Sequence, residues 1–366
     1  MRLSSSGVIY NFGTISGNVG VATYNGSSSS PNIIENHGII QGLGGRAIDA
    51  TGIYDQFVEN YGTIIGDVWF GPGDDLFVYN GGSISGEIRG GSGDDTLEIV
   101  NIEAGQVVNF NAQSGSDSVD VSGFGSAVWI DLEYTGIEVW TRDANTVASG
   151  DWRAIANVDS VENLTGTMGV DVLRGNAFDN TFTYVGEQGI GGQDRYDGRD
   201  GNDTVSFDGF TSAIWIDLSY TGSHVWTRDG DDLSSGDWRG IASTFNFENV
   251  IGTTHDDELR GDDNANVLAG GRGDDLLVGS GGFDTFVFDP HGGDDTIQDF
   301  DANDAERIDL SDVTQITDFI DLITNHLSST DGTATIDYFG YSILLTGWTV
   351  ADIGVAQVIS ADDFIF

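Results

Sequence analysis

Cysteine is absent from the 366 residues, which removes disulfides, zinc–thiolate sites and thiol nucleophiles together. Positive charge is scarce. Thirteen Lys and Arg stand against 59 Asp and Glu, for a formal charge of −46. So few cations cannot form the basic patches that nucleic acid or an anionic membrane surface requires, so neither is an expected partner. No apolar run approaches the roughly 18 residues of a membrane span, and MRLSSSGVIY has one Arg and no hydrophobic stretch of a signal peptide. Neither HExxH nor GxSxG occurs. His37, His224, His255, His291 and His326 are far apart in sequence, without ligand spacing, and read as surface or loop residues.

Glycine, by contrast, supplies 54 residues, well above the usual ~7%. With abundant Val, Ile, Thr and aromatics, it argues for β-structure. Self-repulsion at −46 implies that the compact chain binds cations. A secreted chain without disulfides needs another staple, and a metal is the usual one.

Internal repeats organise the sequence. NFGTISG, NHGIIQG, NYGTIIG and NGGSISG begin at Asn11, Asn36, Asn60 and Asn80, in steps of 25, 24 and 20. Asn followed by Gly suits a tight turn and the β-branched run a short strand, so each unit reads as one coil of a right-handed parallel β-helix. Residues 117–180 align without gaps on 203–266 at an offset of 86, SAVWIDLEYTG on SAIWIDLSYTG and SGDWR on SGDWR. A nonapeptide follows each copy: GTTHDDELR, GDDNANVLA, GGRGDDLLV and GSGGFDTFV run in register from Gly252. GTMGVDVLR, GNAFDNTFT, GIGGQDRYD and GRDGNDTVS follow the first copy. Isolated frames start at Phe70, Gly90 and Pro290. Expected segments are 1–115, 116–202, 203–289 and a C-terminal cap at 290–366. The cap is predicted to hold a short helix facing inward with Ile316, Phe319, Ile320, Ile323 and Leu327, then a hairpin in TATIDYFGYSILLTGW.

Six turn residues and a three-residue strand make up each frame. Glycines allow positive φ and close backbone approach, and Leu259, Leu268, Leu277 and Phe286 at position eight point inward. Two frames make a coil, so Asp257 lies over Asp275, Asn266 over Asp284, and Asp75 over Asp95. Stacked carboxylates repel. A hard dication among carboxylate and carbonyl oxygens relieves this, and Ca²⁺, with 6–8 oxygen ligands in flexible geometry, fits better than Mg²⁺. Without imidazole or thiolate, transition metals are disfavoured.

These frames resemble the GGxGxDxUx repeat of RTX (hemolysin-type) calcium-binding proteins. IDL with VENLTGT and FENVIGT resembles the spacers of large members. FVFDPHGGDDTIQDFDAND through DDFIF resembles the cap and secretion signal of RTX proteases, and the N-x-G-T-I pattern resembles passenger repeats of secreted adhesins. The resemblance implies an all-β, right-handed parallel β-helix/β-roll, several bound Ca²⁺, and export through a type I secretion channel to the exterior or cell surface. It implies calcium contacts at Asp75, Asp95, Asp171, Asp194, Asp203, Asp257, Asp275, Asp284 and Asp295, with Gly73, Gly93, Gly271 and Gly273 in the loops. Asn180 and Asn266 replace the aspartate, and Phe178, His255 and Asn264 the fourth glycine, which weakens those frames.

Six of the eight tryptophans lie in the duplicated units, beside Arg142, Arg153, Arg228 and Arg239. We favour packing of a widened coil, with Arg over an indole face; the alternative is glycan contact by Trp140, Trp226, Arg142 and Arg228. The expected role is a surface or matrix component, structural or adhesive, whose partner is a glycan or another copy. Polysaccharide epimerase or lyase chemistry, and a C-terminal fragment of a larger adhesin, are the alternatives. No catalytic residue stands out.

Overall fold

Short β-branched and aromatic runs, each closed by a glycine turn, bury alternate side chains only if a strand lies in register above and below. The computed structural model describes residues 1–3, 7–23, 31–186, 192–220, 225–302, 305–354 and 358–366. It divides into two compact units, Met1–Phe182 and Thr183–Phe366.

In the first unit, Val8–Asn11, Asn32–Asn36, Gln56–Asn60, Leu76–Asn80, Thr96–Asn101, Ser118–Asp120 and Asn163–Thr165 pair successively, all parallel. Their registers stack Ile9, Ile34, Val58, Phe77, Leu97, Val119 and Leu164, every one buried. A second parallel sheet runs through Thr14–Thr23, Ile39–Ala50, Thr63–Phe70, Glu87–Ser92, Val108–Ser114 and Arg153–Asp159. It contributes the buried column Val21, Ile48, Val68, Ile88, Phe110 and Val158. The unit is a parallel β solenoid, as the sequence predicts.

The second unit repeats the plan. Val205, Val250, Leu268, Phe286, Ile308 and Phe364 form one column, and Ile216, Leu259, Leu277, Ile297 and Leu345 another. All four position-eight residues, Leu259, Leu268, Leu277 and Phe286, are fully buried.

One departure occurs in each duplicated segment. The coil is not merely widened. Val139–Thr141 inserts antiparallel between Val128–Asp131 and Arg153–Asp159, and Val225–Thr227 does so between Ile214–Asp217 and Arg239–Phe245. The parallel stack resumes because Val128–Asp131 pairs with Val172–Arg174, and Ile214–Asp217 with Glu258–Arg260.

The cap extends both sheets of its unit. Thr333–Tyr338 and Tyr341–Leu345 form the expected hairpin, and the latter pairs parallel with Asp294–Ile297. Phe364–Ile365 pairs with Arg307–Asp309. The helix is shorter than predicted: a turn at Phe319–Asp321, N-capped by Asp318, runs into a π turn at Leu322–His326, and Leu327 begins a strand. The wider π turn, bonded i to i+5, rotates the apolar face. Ile316, Phe319 and Leu322 are buried, whereas Ile320 is 58% exposed.

Asparagine does more than open turns. Asn11 Nδ2 donates to Asn36 Oδ1 at 2.7 Å, and Asn36 Nδ2 to Asn60 Oδ1 at 2.8 Å. Asn80 leaves this ladder because Tyr79 takes the register opposite Asn60 and donates its hydroxyl to Gly82 O. Asn36→Ala orphans a buried amide group on both neighbours, each worth about 1–3 kcal/mol. Urea unfolding followed by circular dichroism should show a loss of that order, and Asn36→Asp should not restore it.

Candidate functional site

The turns between strands carry the acidic residues, and the stacking fixes how each carboxylate is used. At position six, the side chain reaches back one coil. Asp95 Oδ1 accepts the Asp75 N–H at 2.9 Å, and Asp117 Oδ1 accepts that of Asp95 at 2.7 Å. In the second unit, Asp275 Oδ1 accepts from Asp257 N–H at 2.8 Å, Asp295 Oδ1 from Asp275 at 3.0 Å, and Asp284 Oδ1 from Asn266 at 2.8 Å. The expected pairs therefore do stack. At position five the direction reverses: Asp74, Asp94, Asp256 and Asp274 each accept an N–H from the following coil, at 2.8–2.9 Å.

One backbone donor satisfies only one oxygen. The second oxygens of Asp75, Asp95, Asp117, Asp275 and Asp284 are buried and accept no hydrogen bond. Glycine at position one makes room for three of them, since a Cβ at Gly90, Gly270 or Gly279 would overlap Oδ2 of Asp95, Asp275 or Asp284. Burial, reinforced by the neighbouring carboxylates Asp95 and Asp257, pushes Asp75 up to about 9 and Asp275 up to about 10. Burial also lifts Asp95 and Asp295 to about 7, and Asp117 and Asp284 to about 6.

Other frames solve the same problem internally. Asn180 and Asn266 donate Nδ2 to Glu162 O and Glu248 O at 2.9 Å, while accepting from Asn176 and Asp262 N–H through the amide oxygen. At Asp171 the N–H and hydroxyl of Thr167 cover both oxygens, and Thr253 does so at Asp257. Asp194 accepts the Tyr196 hydroxyl at 2.9 Å, and Asp203 is fully buried. Residues 189–191 of the Asp194 frame lie outside the described residues.

Gly73, Gly93, Gly271 and Gly273 hold φ of 126°, 119°, 99° and 114°, the left-handed region where glycine is favoured. Phe178, His255 and Asn264, at the fourth position of their frames, do not adopt it. Among the described residues no group of three or more His, Cys, Asp or Glu side chains converges as metal ligands. A cation set between these coils must therefore draw on loop carbonyls beside the orphaned carboxylate oxygens. That donor set, all oxygen and mostly neutral, fits calcium.

Asp117 was not among the predicted positions. Its frame, AQSGSDSVD, lacks the opening glycines, yet Gln113 takes φ of 81° in the place of Gly91. Recurrence of G-x-D with an apolar residue two places on, at Gly93-Asp95-Leu97 and again at Gly115-Asp117-Val119, is the signal that identifies it. The doubled aspartate of GDD likewise marks the position-five column. His326 departs from the expected surface placement: it is buried, with Nδ1 2.8 Å from Asp337 O. His224 lies outside the described residues.

The duplicated tryptophans sit at the antiparallel insertions. Trp140 lies opposite Trp129, and Trp226 opposite Trp215. Arg142 covers Trp152 at 4.2 Å and Arg228 covers Trp238 at 4.4 Å, which is the Arg-over-indole packing anticipated from sequence. Their rings nevertheless leave an open cavity in each copy.

No protein-family model matches the chain, and no curated protein is similar to it. Among solved structures, the crystal structure of extracellular lipase LipA from Serratia marcescens is similar at 14% identity, covering 93% of this chain and 45% of that one, with a TM-score of 0.21. This chain thus spans less than half of that structure, and a likeness at this level assigns no activity.

The raised carboxylates give a pH dependence of definite sign. Their folded pKa values lie above the ordinary 3.8, so the folded state binds more protons and stability falls as pH rises. In chelator, the folded fraction should be greatest near pH 4 and fall from there up to about pH 10, most steeply below about pH 6, where every raised carboxylate contributes. Thermal melts across that range check this, and a stability that rises with pH would contradict it.

Proposed function

We propose that the chain is a calcium-binding β-roll protein whose folding is completed by calcium outside the cell, and that its role there is structural or adhesive. The observation that carries this reading is the set of five buried aspartate oxygens, stacked in columns, with no donor to satisfy them. An unpaired buried acceptor is costly and a buried unpaired charge more so. Among the described residues, arginine pairs with other carboxylates and not with these. Calcium would supply the missing positive charge there.

The chain's own residues do the rest. Asp75, Asp95 and Asp117, and in the second unit Asp275 and Asp284, present one fixed oxygen each, and Gly73, Gly93, Gly271 and Gly273 turn the loops beside them. Asp171, Asp194, Asp203, Asp257 and Asp295 take part as buried members of the same turns. Extracellular calcium modules bind with dissociation constants of about 10⁻⁴ to 10⁻³ M, so a chain of this kind stays unfolded at cytosolic calcium and folds on export. A type I channel reading the C-terminus suits that order of events, and so does the cysteine-free sequence.

Adding millimolar calcium to chelator-treated protein should produce a large far-UV circular dichroism change. A spectrum indifferent to the chelator would sink the proposal. The columns can be tested singly. Asp275→Asn replaces an orphaned oxygen by a group that Asn266 shows can satisfy itself. It should raise the folded fraction in chelator and lower the calcium stoichiometry, read by circular dichroism and by calorimetry.

A further inference from the structure

Each duplicated segment builds an aromatic box that the calcium reading does not use. Trp129, Tyr134, Trp140 and Trp152 line a cavity of about 380 Å³. Trp215, Tyr220, Trp226 and Trp238 line one of about 370 Å³. Both volumes lie in the range of small-molecule sites. Packing alone would bury these rings, yet Tyr134, Trp152, Tyr220 and Trp238 remain 43–53% exposed.

The walls are fixed before any ligand arrives. Arg142 covers one face of Trp152 and donates Nη1 to Gly150 O at 2.9 Å, and Arg153 holds Asp143 through two nitrogens. Arg228 over Trp238, with Gly236 O at 3.1 Å, and Arg239 with Asp229 repeat the arrangement. About half of the aligned positions differ between the two copies, but the four ring positions, both arginines of each pair, the aspartate and the glycine are all retained. Independent drift at that rate would rarely spare all eight.

We propose that each box binds a quaternary ammonium group, giving two sites per chain. The ring planes meet at steep angles, 85° between Trp129 and Tyr134, 65° between Trp129 and Trp152, and 79° between Trp215 and Tyr220. Such a corner suits a rounded group touching several faces at once; a flat sugar ring prefers one broad face. Among the described residues, no carboxamide or carboxylate lines either cavity. Of the indole donors, Trp140 Nε1 is engaged by Ile137 O at 2.6 Å and Trp215 Nε1 by Glu258 at 3.0 Å. Sugar hydroxyls would find few partners there. A tetraalkylammonium has no proton to donate and is held by the negative faces of the rings alone. The charge of the chain favours the same ligand: net −46, with 13 arginines and no lysine against 59 carboxylates.

Choline chloride titrated calorimetrically into the calcium-loaded full chain tests this, with tryptophan emission and circular dichroism recorded on the same samples. Saturable binding at two sites per chain, quenching of tryptophan emission and competition by tetramethylammonium are expected. Tyr134→Ala should leave one site. Tyr134→Ala combined with Tyr220→Ala should weaken binding at least tenfold with the dichroism spectrum unchanged, and Trp152→Phe, which keeps an aromatic wall, should retain both sites. Absence of saturable binding and quenching in the unaltered chain would overturn the assignment, whether or not the variants fold. Two sites persisting in the double variant would overturn it too, as would methyl glucoside occupying the boxes where choline does not. None of these failures touches the calcium reading, which is measured by the chelator response.

Discussion

The acidic coils of this protein bury a carboxylate against the backbone of the coil before it, and much of the structure follows from that constraint. Parallel stacking places position six of every turn directly above its counterpart, so the acidic side chain is forced inward beside a like charge one coil away. Its first oxygen closes the turn by accepting an amide proton, as Asp95 does for Asp75. Its second is enclosed by the position-one glycine, as at Gly90 and Gly270. The same residue is thus both the fastener of the turn and a source of instability. Glycine there is required by the neighbouring oxygen, not by a left-handed backbone.

Much of this was legible in sequence because the periods are short and strict. The apolar residue at position eight predicted the buried columns through Leu259, Leu277 and Leu268, Phe286, and the 18-residue spacing predicted which aspartates stack. Irregular spacing was harder to read. Asp117 escaped notice because Ala112, Gln113 and Ser114 hide its frame, and a left-handed Gln113 does the work of a glycine. The antiparallel strands at Val139–Thr141 and Val225–Thr227 were also missed. A three-residue strand has no period of its own, and its direction is set by tertiary pairing. In the cap, the apolar spacing of residues 315–327 fits an ordinary helix, but a π turn shifts the buried face onto Leu322.

Asparagine marks a different use of the same geometry. In the N-terminal coils, Asn11, Asn36 and Asn60 form a neutral ladder in which each amide is both donor and acceptor. An amide can be stacked indefinitely without accumulating charge, so these coils close with protein groups alone. Replacing the amide by a carboxylate keeps the acceptor and deletes the donor. The ladder then carries a buried oxygen that no protein group satisfies. Asn180 and Asn266 show the reverse substitution within the acidic frames, and both recover a carbonyl partner.

The distribution of these solutions along the chain is therefore informative. The frames that directly follow each antiparallel insertion are self-sufficient: Thr167 covers Asp171 and Thr253 covers Asp257, with Asn180 and Asn266 next in line. Frames with an orphaned oxygen stand elsewhere, at Asp75, Asp95 and Asp117 in the coils that lead up to the first insertion and at Asp275 and Asp284 beyond the self-sufficient frames that follow the second. The frames on the C-terminal side of each aromatic box thus close on protein hydrogen bonds alone, whereas the frames at Asp75, Asp95, Asp117, Asp275 and Asp284 each keep one buried oxygen that no protein donor reaches. The duplicated unit therefore carries the same hydrogen-bonded closure into the turns that follow it in both copies.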